Sequence, residues 1–191
     1  MALISSKSFD QGPKLGFVAP PFSLPGVDGK LWSLSSFTDQ KALLVVFMCN
    51  HCPYVIAVQE RINGLAKRFQ NQGLAVVGIN PNDSIRYPAD SLEAMKVRAR
   101  EQGYVFPYLQ DESQEVARAY DAVCTPDLYL FGKSNEEFTL RYHGRIDDHW
   151  KDASQVTRHE LAEAIETVLQ GQLPSETQQA SMGCSIKWKA N

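Results

Sequence analysis

The chain has 191 residues, 43% of them hydrophobic and 21% charged. That balance suits one folded domain with a core large enough to need no disulfide staples, and it excludes global disorder, collagen and coiled coil. Lys and Arg number 19 against 22 Asp and Glu, a formal charge of -3 that leaves no electrostatic footprint for nucleic acid or anionic lipid. No apolar run approaches the ~20 residues of a membrane span. The first twelve residues lack the basic-then-apolar pattern of a secretion signal, so a cytoplasmic location and no membrane partner are expected. Four cysteines in such a chain point to reactivity or metal binding before a structural framework.

Residues 13–31 are rich in Pro and Gly, with a turn at Asp28-Gly29, and predict a lead-in and a hairpin. A short helix is expected over 33–38. Residues 42–48 (ALLVVFM) are continuously apolar and read as a strand buried on both faces. From 53 to 72, apolar residues fall at Val55, Ile56, Val58, Ile62, Leu65, Ala66 and Phe69, a helical spacing that Gly73 stops. Residues 74–79 are a second buried strand. Asp90 with Glu93 forms a capping-box pattern for a helix reaching about Gln102. Residues 104–109 read as extended and 112–120 as a short helix. Residues 127–131 and 138–145 read as strands, joined by GKSNEE. Thr157 with Glu160 offers a second capping box for a helix that ends at Gly171. No internal repeat is found.

The last twenty residues begin polar. Cys184, Ile186 and Trp188 then alternate with Ser185 and Lys187, a period of two that predicts an extended segment docked on the domain. The division expected is an arm over 1–12, a domain over 13–171 and a tail over 172–191. The element order predicts an α/β fold with parallel pairing in the first half and an antiparallel hairpin in the second. Together these make a mixed central sheet with helices on both faces.

Cys49-Asn50-His51-Cys52-Pro53 lies between the strand at 42–48 and the helix that follows. A helix N-terminus offers unpaired N–H groups and the positive end of the dipole, both of which favour thiolate. Cys49, ahead of the helix, is expected to be the exposed attacking thiolate, and Cys52 the buried resolving thiol. Pro53 is tolerated in the first turn, where its missing N–H has no partner to lose. The pair also supplies two zinc or copper ligands, but a closed site needs more, and the sequence has no second Cys-x-x-Cys.

The motif Phe47-Met48-Cys49-Asn50-His51-Cys52-Pro53 resembles the active-site motif of thioredoxin-like proteins. Residues 16–25 (GFVAPPFSLP), with Asp28-Gly29-Lys30 and Leu34, look like the N-terminal signature of the redoxin branch, the alkyl-hydroperoxide-reductase/thiol-specific-antioxidant proteins. Thr125-Pro126 is similar to the cis-proline segment that faces the cysteines in that fold. The resemblance spans about Gly16 to Gly171. It implies a thioredoxin-like fold with an N-terminal hairpin extension, and catalytic roles for Cys49, Cys52, His51 and Pro126. It also implies thiol–disulfide exchange without a cofactor, in thiol redox homeostasis or antioxidant defence. The substrates implied are a thiol or disulfide protein, a small thiol or a peroxide.

Four positions depart from the family pattern. Pro21 stands where an acidic residue follows Ala-Pro, and Leu43 where thioredoxins bury an Asp. When Cys52 is aligned with the peroxide-attacking cysteine of peroxiredoxins, Cys49 takes the place of their Thr or Ser and Val45 that of their Pro. This favours disulfide exchange over a peroxiredoxin-like peroxidase. A copper- or zinc-binding protein on the same fold is the other alternative, with His51 or Cys124 as further ligands. His51 resembles the histidine before the second cysteine in periplasmic disulfide oxidases, where a cation beside a thiolate makes the pair more oxidising. Cys124 is read as facing Cys49 or as a core residue. Cys184 is read as a second resolving thiol for Cys124 or Cys49 if the tail docks near Pro126. His143, His149 and His159 are read as surface residues, and Tyr129 and Tyr142 as strand residues.

Overall fold

The computed structural model describes residues 2–4 and 12–190, so most of the expected arm lies outside the described residues. In chain order the elements are β1 (Ala2–Ile4), β2 (Ser23–Pro25), β3 (Leu31–Ser33), β4 (Ala42–Phe47), α1 (Pro53–Phe69), β5 (Leu74–Asn80) and α2 (Leu92–Glu101). They continue with β6 (Tyr108–Gln110), α3 (Glu115–Ala119), β7 (Cys124–Thr125), β8 (Asp127–Ser134), β9 (Glu137–His143), α4 (Glu160–Leu169) and β10 (Met182–Ser185).

The central sheet has the order β6-β5-β4-β8-β9. β4 pairs in parallel with β5, and β5 with β6, whereas β8 runs antiparallel to both β4 and β9. This is the expected mixed sheet. Every residue of β4 is buried, because both faces of the strand are covered. On one face Leu44, Val46 and Met48 pack with Val55, Val58 and Ile62 of α1, Met95 of α2 and Leu161 and Ile165 of α4. On the other, Leu43, Val45 and Phe47 pack with Phe22, Leu24 and Phe37 of the hairpin region and Val116 and Ala117 of α3. Each fully buried aliphatic or aromatic side chain here contributes about 1.5–3 kcal/mol.

Several local expectations shift. Asp90 does not cap α2; Ser91 does, its side chain accepting the Ala94 N–H, while Glu93 turns outward to Lys96. Thr157 does not cap α4 either. It bonds the Asp148 carboxylate, and Glu160 is held by Arg145. β8 runs on to Ser134, so the turn shrinks to Asn135 and Glu136, both at positive φ (49° and 67°), as a two-residue hairpin requires. His143 is buried, not at the surface. Its Nε2 lies 2.8 Å from Asp127 Oδ1 and its ring stacks on Tyr129 at 4.1 Å.

The tail returns to the domain as the period-two pattern predicts. β10 pairs antiparallel with β7, with Cys184 opposite Thr125 and Ser185 opposite Cys124, and β1 covers its other edge. Beyond it, Ile186 is buried among Phe47 and Tyr120, and Arg118 lies over the Trp188 ring. The approach to β7 is close. A Cβ on Gly183 would stand 2.4 Å from the Thr125 carbonyl oxygen, so this position admits no side chain without backbone movement.

Gly183→Ala is therefore expected to lift β10 from β7, at a cost of about 1–3 kcal/mol. Denaturant melts measure the cost. Amide exchange at Ile186, whose N–H bonds the Val123 carbonyl at 3.1 Å, reports the displacement. Unchanged stability and exchange would contradict the close approach.

Candidate active site

The site forms where β4 gives way to α1. β4 ends at Phe47, and the Met48 N–H still bonds the Ile79 carbonyl. The chain then turns through Cys49, Asn50 and His51 before α1 starts with Cys52 as N-cap and Pro53 in the first turn. The intervening loop is pinned from several sides. The Asn50 N–H donates to Asp90 Oδ1 at 2.7 Å, its side-chain amide donates to the Ala89 carbonyl at 2.7 Å, and its Oδ1 accepts from the Tyr108 hydroxyl at 3.1 Å. Arg98 holds the Asn50 carbonyl.

Thr125 closes the site from the opposite strand, and the Thr125–Pro126 bond is cis, as expected. Its hydroxyl lies 3.3 Å from Cys49 Sγ and its carbonyl 3.1 Å from Cys52 Sγ. Thr125, rather than Cys124, is thus the residue that faces Cys49. Cys124 is fully buried, and burial followed by the Asp127 carboxylate pushes its thiol well above the ordinary range.

The exposed Cys49 expected from the sequence is not what the structure shows. Cys49 is 2% exposed and Cys52 0%. The Cys49 thiol is held well above its ordinary value, because it donates its proton to Cys52, is buried and faces the Asp90 carboxylate; the Thr125 hydroxyl opposes these. Cys52 moves the other way. It accepts first from Cys49, and then, against the cost of burial, from the Cys184 side chain and from the backbone N–H groups of Val55 and Cys184. The Thr125 carbonyl favours the protonated thiol, but several donors converge on this sulfur, and the N-cap position adds the helix dipole. Of the two sulfurs, Cys52 is thus the one whose surroundings favour charge.

His51 is partly exposed and stacks on Tyr87 with ring centroids 5.5 Å apart. Its Nδ1 lies 2.6 Å from Asp90 Oδ2, and that carboxylate, fully buried, also accepts from the Asn82 side chain at 2.8 Å. Cys49 Sγ, a His51 ring nitrogen and an Asp90 oxygen lie within 4.8 Å of one another. Such a trio could bind a cation. Both Asp90 oxygens, however, already hold the loop, Oδ1 through Asn50 and Oδ2 through Asn82.

Two residues of the site carry no local signal of their role. Asp90 fits a helix cap in the sequence, but Ser91 is an equally good N-cap one position later. Thr125 stands out in the sequence only as the neighbour of Pro126. Pro126 follows Thr125 across the cis bond, and Cys184 lies opposite Thr125, whereas Ser185 is the residue opposite Cys124. Leu43, at the place of the thioredoxin Asp, is buried on the sheet face opposite the cysteines, beside Val45 and Phe47. Of the other histidines, His159 is exposed and His149 is half-buried against Asp152. Among the described residues no helix is long and apolar enough to cross a membrane.

Comparison with known proteins places this geometry. The family model described as the AhpC/TSA family matches residues 15–149. A solved structure of a hypothetical protein from Sinorhizobium meliloti 1021 superposes with a TM-score of 0.88 at 43% identity, over 94% of this chain and 97% of its own. An uncharacterized conserved protein from Geobacillus kaustophilus does so at 0.87 and 44%, over 93% of each chain. A Mycobacterium tuberculosis protein that carries the name of a proposed peroxiredoxin is 28% identical over 134 residues, which are 69% of this chain and 80% of its own. The family match runs from the hairpin past the cysteine pair and the cis-proline, and the chain accordingly belongs to the AhpC/TSA family, as a thiol redox enzyme of thioredoxin-like fold.

Proposed function

We propose that the chain performs thiol–disulfide exchange through Cys49 and Cys52, with Cys52 as the charged sulfur and Cys49 as its closing partner. The observation that carries this reading is the clamp formed by Thr125, which touches both sulfurs at 3.3 and 3.1 Å while Cys49 donates to Cys52. A dithiol held in this way is poised to become a disulfide.

The Cys52 thiolate attacks one sulfur of an oxidised substrate, and the other sulfur leaves as a thiolate. Cys49 then loses its proton and attacks Cys52 Sγ, forming Cys49–Cys52 and releasing the substrate as a second thiol. The His51–Asp90 pair, beside Cys49, takes that proton and returns it when the disulfide is reduced. Pro126 fixes the position of Thr125 against the two sulfurs. Burial of both sulfurs favours small oxidants, disulfides or hydroperoxides, for the first step over a folded protein. The reading sets this chemistry in the cytoplasm, in thiol homeostasis or antioxidant defence. It requires no cofactor.

Two outcomes are expected. The reduced protein should carry one thiolate at neutral pH, seen by its ultraviolet absorbance, and Cys52→Ser should abolish it. Loss in Cys49→Ser with retention in Cys52→Ser would restore Cys49 as the attacking group. Asp90→Asn keeps an acceptor for the Asn50 N–H but removes the negative charge facing Cys49. A carboxylate disfavours a nearby thiolate, so its removal lowers the Cys49 pKa. The alkaline limb of the exchange-rate profile should then move to lower pH, and a profile unchanged from wild type would show that Asp90 only shapes the loop.

A further inference from the structure

The edge of β7 beside the cysteine pair, where an extended substrate could add a strand, is already filled by this chain's own β10. The segment is fastened on both sides of Cys184. Before it, the Ser181 hydroxyl donates to the Pro126 carbonyl at 3.1 Å. After it, the Lys187 N–H donates to Asn82 Oδ1 at 2.9 Å, and Asn82 is the residue that also holds Asp90. Gly183 permits the close approach to Thr125. Cys184 is thereby set opposite Thr125, whose carbonyl meets Cys52, and it packs against the cluster that holds Cys49 and Cys52. Cys49, Cys52 and Cys124 are all buried, whereas Cys184 is half-exposed. A path from the site to an external thiol therefore passes through Cys184.

We propose that Cys184 is a third redox thiol of this site, one that exchanges with Cys52 and presents the oxidised sulfur to an external dithiol at the surface. The proposal rests on the Cys49–Cys52 reading and extends it. In the first step Cys184, as thiolate, attacks Cys52 Sγ of the Cys49–Cys52 disulfide. The Cys52–Cys184 bond forms, the Cys49–Cys52 bond breaks, and Cys49 takes up the proton that Cys184 lost. No electron enters or leaves. In the second step a thiolate of the external dithiol attacks Cys184 Sγ, and Cys52 departs as thiolate. The second thiol of the dithiol then attacks its own partner sulfur in the mixed disulfide, freeing Cys184. The dithiol leaves as a disulfide, having given two electrons to the protein. The second step follows the chemistry of exchange, in which an accessible sulfur is attacked and the sulfur that better bears charge leaves.

The test uses the full chain as Cys49→Ser, with Cys49→Ala in parallel. Each variant is reduced, oxidised with diamide, blocked with an alkylating agent and mapped by mass spectrometry of its peptides. The expected product is a Cys52–Cys184 cross-link. Free Cys52 and Cys184 in both variants, while the wild-type protein forms Cys49–Cys52, would overturn this proposal and leave the underlying reading intact. A wild-type protein that forms no disulfide involving Cys52 would instead overturn the reading itself. A rate measurement supplies the second arm. Reduction of the oxidised protein by dithiothreitol should slow at least tenfold in Cys184→Ser, and an equal or faster rate would mean that β10 is only a cover.

Discussion

Thr125 is the residue on which the site depends. Its hydroxyl meets Cys49, its carbonyl meets Cys52, and its backbone is the register partner of Cys184. One residue of a two-residue strand thus touches or positions three of the four cysteines. Its own place is set from behind by Pro126 and by Asp127, which is anchored to His143 and to the Tyr129 hydroxyl. The buried Asp127–His143–Tyr129 group is the foundation of the clamp, which explains why a charged side chain and a histidine occupy the interior of a hairpin.

From the clamp follows an electrostatic division between two sulfurs that are alike in sequence. Cys52 lies at the helix cap with converging donors, and Cys49 lies beside a buried carboxylate. Donors to a sulfur stabilise its charged form and a nearby negative charge opposes it, so the two environments favour charge on Cys52 over Cys49. The same carboxylate braces the loop through Asn50 and reaches the tail through Asn82. The tail is therefore bound into the network that sets the chemistry, and is not an appendage on a finished domain.

The parts legible in the sequence were those encoded locally. The apolar run of β4, the helical spacing of α1 with its stop at Gly73, the cysteine pair at their junction and the alternating Cys184-Ile186-Trp188 pattern were all read from neighbouring residues. The parts that escaped depend on partners far along the chain. Asp90 and Ser91 offer nearly equal caps, and only the Asn50 loop, forty positions away, decides that Asp90 is pulled inward. His143 reads as an ordinary polar strand residue until the β8–β9 register sets it opposite Tyr129, beside Asp127. Cys49 reads as exposed until the fold brings Thr125, 76 positions along the chain, against its buried sulfur. Local pattern carries elements, whereas burial and charge state follow from contacts that only the folded chain creates.

An environment that favours charge on Cys52 stabilises the reduced pair. Stabilising the dithiol form raises the reduction potential, as it does in strongly oxidising members of this fold. The most direct test is the potential of the Cys49–Cys52 couple, measured in glutathione buffers in a Cys184→Ser background so that a single couple titrates. The account predicts a value well above the roughly -270 mV of thioredoxin. A value at or below that figure would contradict it.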